Sequence, residues 1–217
     1  MIYFGQDNMR NNMESVERKI ENHIKKQRRG KIFFASDFSI FGSSDAVFKA
    51  LQRLQKSGLL VRAANGIYSY PKLNTYEWTD NKYILPSIDE IAHAIAKRDK
   101  IRIVPTGSYA LNALGLSTQV VVNVVYITDG APRRIKVGNG RGILFKHTSE
   151  VRRLAFKSKL LMLIDSALRE IGEGRVRQHE LEIIKEKLTY ATQKDIDRDI
   201  ELMPIWIRTI VLKLWNS

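Results

Sequence analysis

An Asn-Gly pair between two short apolar runs is the feature that most restricts how this chain can fold. The runs cover residues 59–63 and 67–70, and Asn65-Gly66 lies between them. Asn and Gly both accept the positive φ angles of a tight two-residue turn, so the pattern predicts a β-hairpin. Pro71 follows and ends the second strand. The domain that contains these residues is therefore predicted to include a β-hairpin over residues 59–70.

Directly before this hairpin, the sequence predicts an amphipathic helix over residues 45–57. Four apolar residues recur with the spacing i, i+3, i+4 and i+7, which places them on one face of the helix. These residues are Val47, Ala50, Leu51 and Leu54. Ser43 or Ser44 is suited to cap the helix, and Gly58 is suited to end it.

Three further elements are predicted upstream of this helix: a helix over about 14–29, a short strand at 32–34 and a short helix at 37–41. Helix, short strand, short helix, turn, helix and hairpin is the element order of a winged helix-turn-helix. We therefore assign residues 13–72 to such a domain, and residues 1–12 to a flexible lead.

The remainder of the chain predicts a second domain at residues 87–217, after a polar linker at 73–86. Ser87 and Glu90 form a capping box at the start of its first helix. Strands are expected at 101–104, 119–128, 133–137 and 143–147, and later helices at 109–114, 150–171, 176–190, 193–202 and 204–215. The predicted fold class is α+β: a winged helix-turn-helix, then a mixed α/β domain with a small, mostly antiparallel sheet and C-terminal helices.

Positive charge is the strongest signal in the composition. The chain has 36 Lys and Arg residues against 23 Asp and Glu, which gives a formal net charge of +13. The net charge is +5 over residues 1–80, +9 over 81–160 and −1 over 161–217. A basic front and a neutral tail are typical of a protein that binds a polyanion. An acidic protein partner would use the same surface, and a high pI without any such partner is the alternative.

Several classes of protein are disfavoured. The chain has no cysteine, which excludes disulfides, thiolate catalysis and cysteine-based zinc sites. No apolar run is long enough to cross a bilayer, so no contact with a membrane is expected. The polar N-terminus lacks a signal-peptide core, and we expect a cytoplasmic protein.

The helix over 45–57 has the position of a DNA-reading helix. In a helix-turn-helix, the first turns of the second helix enter the major groove of double-stranded DNA and contact base edges and phosphates. The residues expected to contact DNA are Ser43, Ser44, Asp45, Lys49 and Arg53, with Arg62 and Asn65 on the wing. Loss of Lys49 and Arg53 is expected to weaken DNA binding. A winged helix used only for protein contact is the alternative.

A second group of basic residues lies on the predicted hairpin after residue 132. It contains Arg133, Arg134, Lys136, Arg141 and Lys146. We expect this hairpin to bind a partner, through phosphates or an acidic protein surface, with Arg133, Arg134 and Lys136 contributing most. A solvated sheet edge is an equally good interpretation, because charged edge residues also prevent aggregation.

The sequence argues against an enzyme. Gly107-Ser108 opens a helix and resembles the Gly-Ser turn of nucleotidyltransferases. That chemistry needs paired carboxylates on the next strand to hold Mg²⁺, and the residues at 120–125 include no carboxylate. We therefore expect no catalytic residues, no metal and no cofactor.

Three segments carry a resemblance to a known family. They are FGSSD at 41–45 with the hairpin sequence NGIY at 65–68, VPTGSYALNALGLSTQ at 104–119, and YITDGAPRRI at 126–135. Together they resemble the AbiEi-like antitoxins of bacterial type IV toxin–antitoxin systems, over roughly residues 13–175.

The resemblance implies an N-terminal winged helix that binds operator repeats and represses its own operon. It also implies a C-terminal domain that counteracts a nucleotidyltransferase-like toxin, while the antitoxin itself is not the enzyme. Three alternatives remain open: an orphan regulator without a toxin, a protein-interaction module, and a degenerate nucleotidyltransferase.

Overall fold

The structure, a computed structural model, describes residues 14–75, 82–119, 121–138 and 140–217. It divides the chain into two units, of which the first ends at Pro86 and the second begins at Ser87. Ser87 is also where the second domain is predicted to begin. Helices are combined with small sheets, so the fold class is α+β, as predicted. The predicted lead at 1–12 lies outside the described residues.

The first unit has the element order of a winged helix-turn-helix. Its elements are α1 (Val16–Lys25), β1 (Ile32–Phe34), a 3₁₀ helix (Ala35–Phe41), α2 (Ser44–Lys56), β2 (Val61–Ala64) and β3 (Ile67–Ser69). The three strands form one antiparallel sheet in the order β1-β3-β2. The chain turns between β2 and β3 at Asn65 and Gly66, and Gly66 has a φ of +67°. Glycine adopts this angle without strain, and the predicted hairpin is confirmed. Asn65 does not have a positive φ, so the predicted turn with positive φ angles at both residues is wrong.

The predicted apolar stripe of α2 forms part of the core of the first unit. All four of its residues are buried, and they pack with Ile20 and Ile24 of α1 and with Phe33 and Phe38. Ile24 is the last buried residue of α1, which ends at Lys25. The helix is shorter than predicted, and Arg29 beyond its end lies against the Tyr70 ring and donates a hydrogen bond to the Pro71 carbonyl at 3.0 Å.

The predicted linker at 73–86 contains strand residues near both of its ends. Strand β4 (Lys72–Leu73) pairs with β5 (Tyr83–Ile84) in a small antiparallel sheet. Tyr83 lies against Gly58, where a Cβ would come within 2.8 Å of the tyrosine hydroxyl. The start and the end of the linker therefore pack within the first unit, and residues 76–81 lie outside the described residues.

The second unit combines a four-stranded sheet with eight helical segments among the described residues. Its α-helices are α3 (Ile88–Asp99), α4 (Ser108–Leu114), α5 (Lys159–Ile171), α6 (Gln178–Leu188), α7 (Gln193–Asp199) and α8 (Ile205–Trp215), and its 3₁₀ helices are Val151–Leu154 and Ile200–Leu202. Its strands are β6 (Ile103–Pro105), β7 (Asn123–Thr128), β8 (Arg133–Lys136) and β9 (Gly142–His147). The strand order is β6-β7-β9-β8. The β7–β9 pair is parallel and the other two pairs are antiparallel.

The two faces of this sheet pack against different elements. On one face, the buried Tyr126 donates a hydrogen bond to Asp89 of α3. On the other face, Val104 and Ile127 pack against Leu154 of the 3₁₀ helix. Because side chains alternate along each strand, neighbouring residues such as Tyr126 and Ile127 belong to different layers.

The predicted helix over 150–171 is wrong, since the chain forms a 3₁₀ helix at Val151–Leu154 and only then begins α5. A buried carboxylate from a distant element holds the break. Asp199 accepts hydrogen bonds from the amide groups of Lys157 at 3.0 Å and of Ser158 at 2.6 Å. Ser158 then caps α5 through its own hydroxyl. The amide groups before α5 therefore bond to Asp199 instead of continuing a helix.

The C-terminal helices share one apolar core. It is formed by buried residues of α4 to α8, with Ala110 and Leu114 of α4 at one side and Ile207 and Val211 of α8 at the other. No helix in the described part of the chain is long and apolar enough to cross a membrane.

We predict that Asp199→Ala lowers the free energy of unfolding of the second unit by about 2–3 kcal/mol, because it removes a fully buried acceptor of two amide hydrogen bonds. Urea denaturation followed by circular dichroism measures the loss. Asp197→Ala is the matched control, since Asp197 lies on the same helix but is exposed. Its effect should stay within about 0.5 kcal/mol. Equal effects of the two variants would contradict a role for Asp199 in holding the chain.

Candidate functional site

The face of α2 opposite its buried stripe carries four polar residues. They are Asp45, Lys49, Gln52 and Lys56. Their spacing of four, three and four residues aligns them along one side of the helix, and all four are exposed. Among the described residues, neither lysine forms an ion pair. This face is free to contact a ligand along the length of the helix.

The serines before this face differ in their roles. Ser43 caps α2, because its Oγ accepts a hydrogen bond from the Ala46 amide at 3.4 Å. Ser44 and Asp45 lie exposed in the first turn. The capping bond engages the Ser43 hydroxyl. The Ser44 hydroxyl is therefore the one more available to another molecule.

Arg53 lies at the flank of the exposed face. Its Nη1 donates to Glu17 of α1 at 3.0 Å. This ion pair joins the two helices, so any contact with another molecule competes with Glu17. Of the two cations of α2 that are predicted to contact DNA, Lys49 is therefore better placed than Arg53.

Gln52 and Lys56 were not predicted as contact residues. Both continue the exposed face, at seven and eleven residues beyond Asp45, and this spacing is visible in the sequence. Glutamine can bond adenine through two hydrogen bonds, and lysine can bind guanine or phosphate. A helical-wheel argument from Asp45 would have found both.

The two predicted wing residues bond to each other. Arg62 donates from Nη2 to Asn65 Oδ1 at 2.6 Å, and both side chains are exposed. Asn65 thus holds one N–H of the guanidinium at the turn between β2 and β3. Arg62 keeps further N–H donors for a second partner.

In the second unit, three of the predicted basic hairpin residues share one face of the sheet. Arg134 pairs with Leu144 and Lys136 pairs with Gly142, and directly opposed residues share a face. Lys146 lies two residues beyond Leu144 and so belongs to the same face. All three cations are exposed. β8 is an edge strand, so one side of this basic face is open.

Arg133 does not belong to this basic face. It lies on the opposite face of the sheet, where it forms an ion pair with Asp99 of α3 and its guanidinium carbon lies 5.3 Å from the centre of the Phe145 ring. The prediction that Arg133 joins Arg134 and Lys136 in one contact surface is wrong. Side chains alternate across a strand, so the neighbours Arg133 and Arg134 point to opposite faces. The ion pair with Asp99 shows that the face carrying Arg133 is the one covered by α3.

Arg141 lies at the start of the second hairpin strand. Its carbonyl accepts a hydrogen bond from the Val137 amide at 2.8 Å. Its side chain is half-buried, and its Nε has no hydrogen-bond partner among the described residues. Arg141 is therefore less accessible than the three cations of the basic face.

A polar network that the sequence did not predict joins α3, β7 and α5. Asp89 accepts hydrogen bonds from the Tyr126 hydroxyl at 3.0 Å and from Lys159 Nζ at 3.1 Å. His93 Nδ1 lies 3.4 Å from the same carboxylate. Asp89 and His93 are four residues apart on α3, but Tyr126 and Lys159 lie too far from them in sequence for a local pattern to reveal the network.

Asp89 and the neighbouring Tyr109 have shifted pKa values. Burial acts to raise the pKa of Asp89, but His93, Lys159 and Tyr126 outweigh it and the pKa is lowered. Burial and the charge of Asp89 raise the pKa of Tyr109 to about 12. A general acid or base works best with a pKa near the working pH, so neither of these two groups is suited to proton transfer near neutral pH.

No group of three His, Asp or Glu side chains within the described ranges is arranged to hold a metal ion. Gly107 opens α4 with a φ of +55°. Strand β7, which follows, carries no carboxylate. The absence of enzymatic activity stays a prediction.

The family DUF6088, described as a family of unknown function, matches residues 19–196. This range includes every residue predicted to contact DNA and the whole basic hairpin. No match is found among the curated proteins.

The neighbours Arg133 and Arg134 form a matched pair for a stability test. We predict that Arg133→Gln lowers the free energy of unfolding by about 1 kcal/mol, because the variant leaves the half-buried Asp99 without this partner. Arg134→Gln removes the same charge from an exposed position and should change stability by less than about 0.5 kcal/mol. Chemical denaturation measures the free energy of unfolding of both variants. A larger loss for Arg134→Gln would reverse the assignment of faces.

Proposed function

We propose that this chain, which belongs to the DUF6088 family, is a cytoplasmic DNA-binding transcriptional regulator without enzymatic activity. The observation that carries the proposal is the exposed polar face of α2, the second helix of a helix-turn-helix. The face consists of Asp45, Lys49, Gln52 and Lys56. A formal net charge of +13 for the chain supports a polyanionic partner.

The chemistry of this face fits base edges in the major groove. Lys49 can bond guanine and Gln52 can bond adenine. Asp45 repels phosphate, but its carboxylate can accept a hydrogen bond from the amino group of cytosine. Arg62 on the wing can bind the neighbouring backbone. A mixture of acceptor and donor groups favours recognition of sequence over binding to any DNA.

We predict that Lys49→Ala weakens binding to the DNA upstream of the gene by about 1–3 kcal/mol, if the lysine contacts a base. Gel shifts at several salt concentrations distinguish a contact with a base from a contact with a phosphate. A base contact relaxes specificity at one position, whereas a phosphate contact weakens all sequences and reduces the salt slope. Arg53→Ala should have the smaller effect, because Glu17 already holds this arginine.

Lys25→Ala is the matched control for this experiment. Lys25 is an exposed lysine on α1 that pairs with Glu21 at 2.6 Å. Its removal takes the same charge from the same unit but not from the proposed face. Wild-type affinity of Lys49→Ala would show that α2 does not read the DNA.

We further propose that the regulator is the antitoxin of a type IV toxin–antitoxin pair. It would repress its own operon at operator repeats and counteract a nucleotidyltransferase-like toxin. Support comes from the resemblance of residues 104–119 and 126–135 to AbiEi-like antitoxins. These two segments are neighbours in space, because β6 pairs with β7. The basic face of Arg134, Lys136 and Lys146 is the proposed contact surface for the toxin.

The double variant Arg134→Glu, Lys136→Glu tests this surface in the full-length protein. We predict that it loses protection against the nucleotidyltransferase encoded beside the gene, while its DNA affinity stays unchanged, because charges at the rim of an interface control association. Growth on toxin co-expression and a gel shift are the two measurements. Lost DNA binding with intact protection would instead make the basic face part of the DNA footprint.

A protein-interaction module is the second candidate. Ile40 and Phe48 of the first unit have 80% and 52% of their surface exposed. If these two residues belong to one contiguous apolar patch, that patch would suit a surface that another protein covers. Absence of any salt-dependent DNA binding by the wild-type chain would favour this candidate.

A further inference from the structure

A charged cleft in the second unit is separate from the proposed DNA-reading face. Its volume is about 540 Å³, which is within the range of sites for small ligands. The ends of β6 and β9, the middle of β7, the 3₁₀ helix at Val151–Leu154, α5 and the start of α8 contribute to its walls.

Three cations line the cleft, and two of them are available to a ligand. Arg169 donates to Asp165 at 2.8 Å, so its charge is balanced within the protein. Arg153 lies 3.9 Å from the exposed carboxylate of Glu150, and its Nε has no hydrogen-bond partner in the described part of the chain. Lys146 forms no ion pair with any described residue. Lys146 and Arg153 are therefore the groups that can bind an anion.

A serine with a buried hydroxyl lines the same cleft. Ser166 of α5 has only 2% of its surface exposed, yet it lines the cleft. Its Oγ makes no hydrogen bond to any described residue. Buried polar groups without a partner are rare in proteins and cost free energy. A ligand oxygen in the cleft would provide the missing partner.

Other residues of the cleft are acceptors and an aromatic ring. Glu170 lies against Gly107, where a Cβ would come within 3.1 Å of the Glu170 carboxylate. Glu173 and Trp206 also line the cleft. Lys146 on β9 is level with Ile127 and Val104 across the sheet, and Gly107 lies three residues beyond Val104, so Gly107 and Lys146 are roughly 14 Å apart. The cleft thus offers positive charge on one side and acceptors for N–H groups on another.

We propose that this cleft binds a nucleoside monophosphate. The phosphate would lie at Lys146 and Arg153, within reach of the Ser166 hydroxyl. The amino group of the base would donate to Glu170 or Glu173, and Trp206 would provide a ring for stacking. A ligand with anionic groups alone would be repelled by the two glutamates, which is why a purely anionic metabolite fits less well.

Isothermal titration of the full-length protein with single compounds tests the proposal. The probes are AMP, GMP, CMP, UMP, ribose 5-phosphate and inorganic phosphate. At least one of AMP, GMP and CMP should bind at least about tenfold more tightly than UMP and ribose 5-phosphate, because these two lack the exocyclic amino group. Lys146→Gln should weaken that binding at least about tenfold.

Two further variants separate ligand binding from structure. Lys97→Gln removes an exposed lysine from α3, outside the cleft, and should bind the nucleotide with wild-type affinity. Ser166→Ala should weaken binding without lowering the melting temperature, since it deletes a buried hydroxyl that makes no hydrogen bond to any residue the structure describes. A loss of stability without a loss of affinity would show that Ser166 is only structural.

Several results would overturn the proposal. Absence of binding by every nucleotide, or wild-type affinity of Lys146→Gln, would exclude this site. Equal affinity for inorganic phosphate would leave a phosphate site without a base pocket. Binding of a short single-stranded oligonucleotide but of no mononucleotide would assign the cleft to nucleic acid instead.

Discussion

The alternation of side chains across the sheet of the second unit decides which of its residues can act together. Tyr126 and Phe145 face one layer, whereas their neighbours in sequence, Ile127 and Lys146, face the other. The first layer is closed by α3 and by the hydrogen bonds to Asp89. The second layer is covered only in part, so a cleft remains beside the basic strands. Chemistry that depends on access to solvent or ligand is thereby confined to one face.

Hydrogen bonds between distant segments fix the helices around this sheet. Asp199 reaches two amide groups before α5, and Asp89 reaches from α3 to Lys159 at the start of the same helix. Each carboxylate receives several donors, which compensates the cost of removing a charge from water. The position of α5, and with it of Arg153, Ser166 and the cleft, depends on these long-range contacts.

The first unit and the second unit offer different kinds of recognition. Residues along α2 present a mixed row of donors and acceptors, whereas the second unit presents an edge strand with Arg134 and Lys136 and a cleft beside it. On the proposed function, the first unit would bind DNA through α2 and the second unit would be available to a protein or a small ligand. The net charge of +9 over residues 81–160 is compatible with each of these partners, because surface charge alone carries no information on shape.

The sequence by itself determined the elements that depend on near neighbours. The stripe of α2, the Asn65-Gly66 turn and the capping box of Ser87 with Glu90 all follow from spacings of a few residues, and the structure contains each of them. The same spacing argument also predicts the exposed polar face of α2. Only the tertiary structure decided that α5 begins after a break, that Arg53 is held by Glu17, and that the strand face carrying Arg133 is the one covered by α3. Those outcomes depend on partners tens of residues away, and the pattern of a single segment does not encode which partner it will meet.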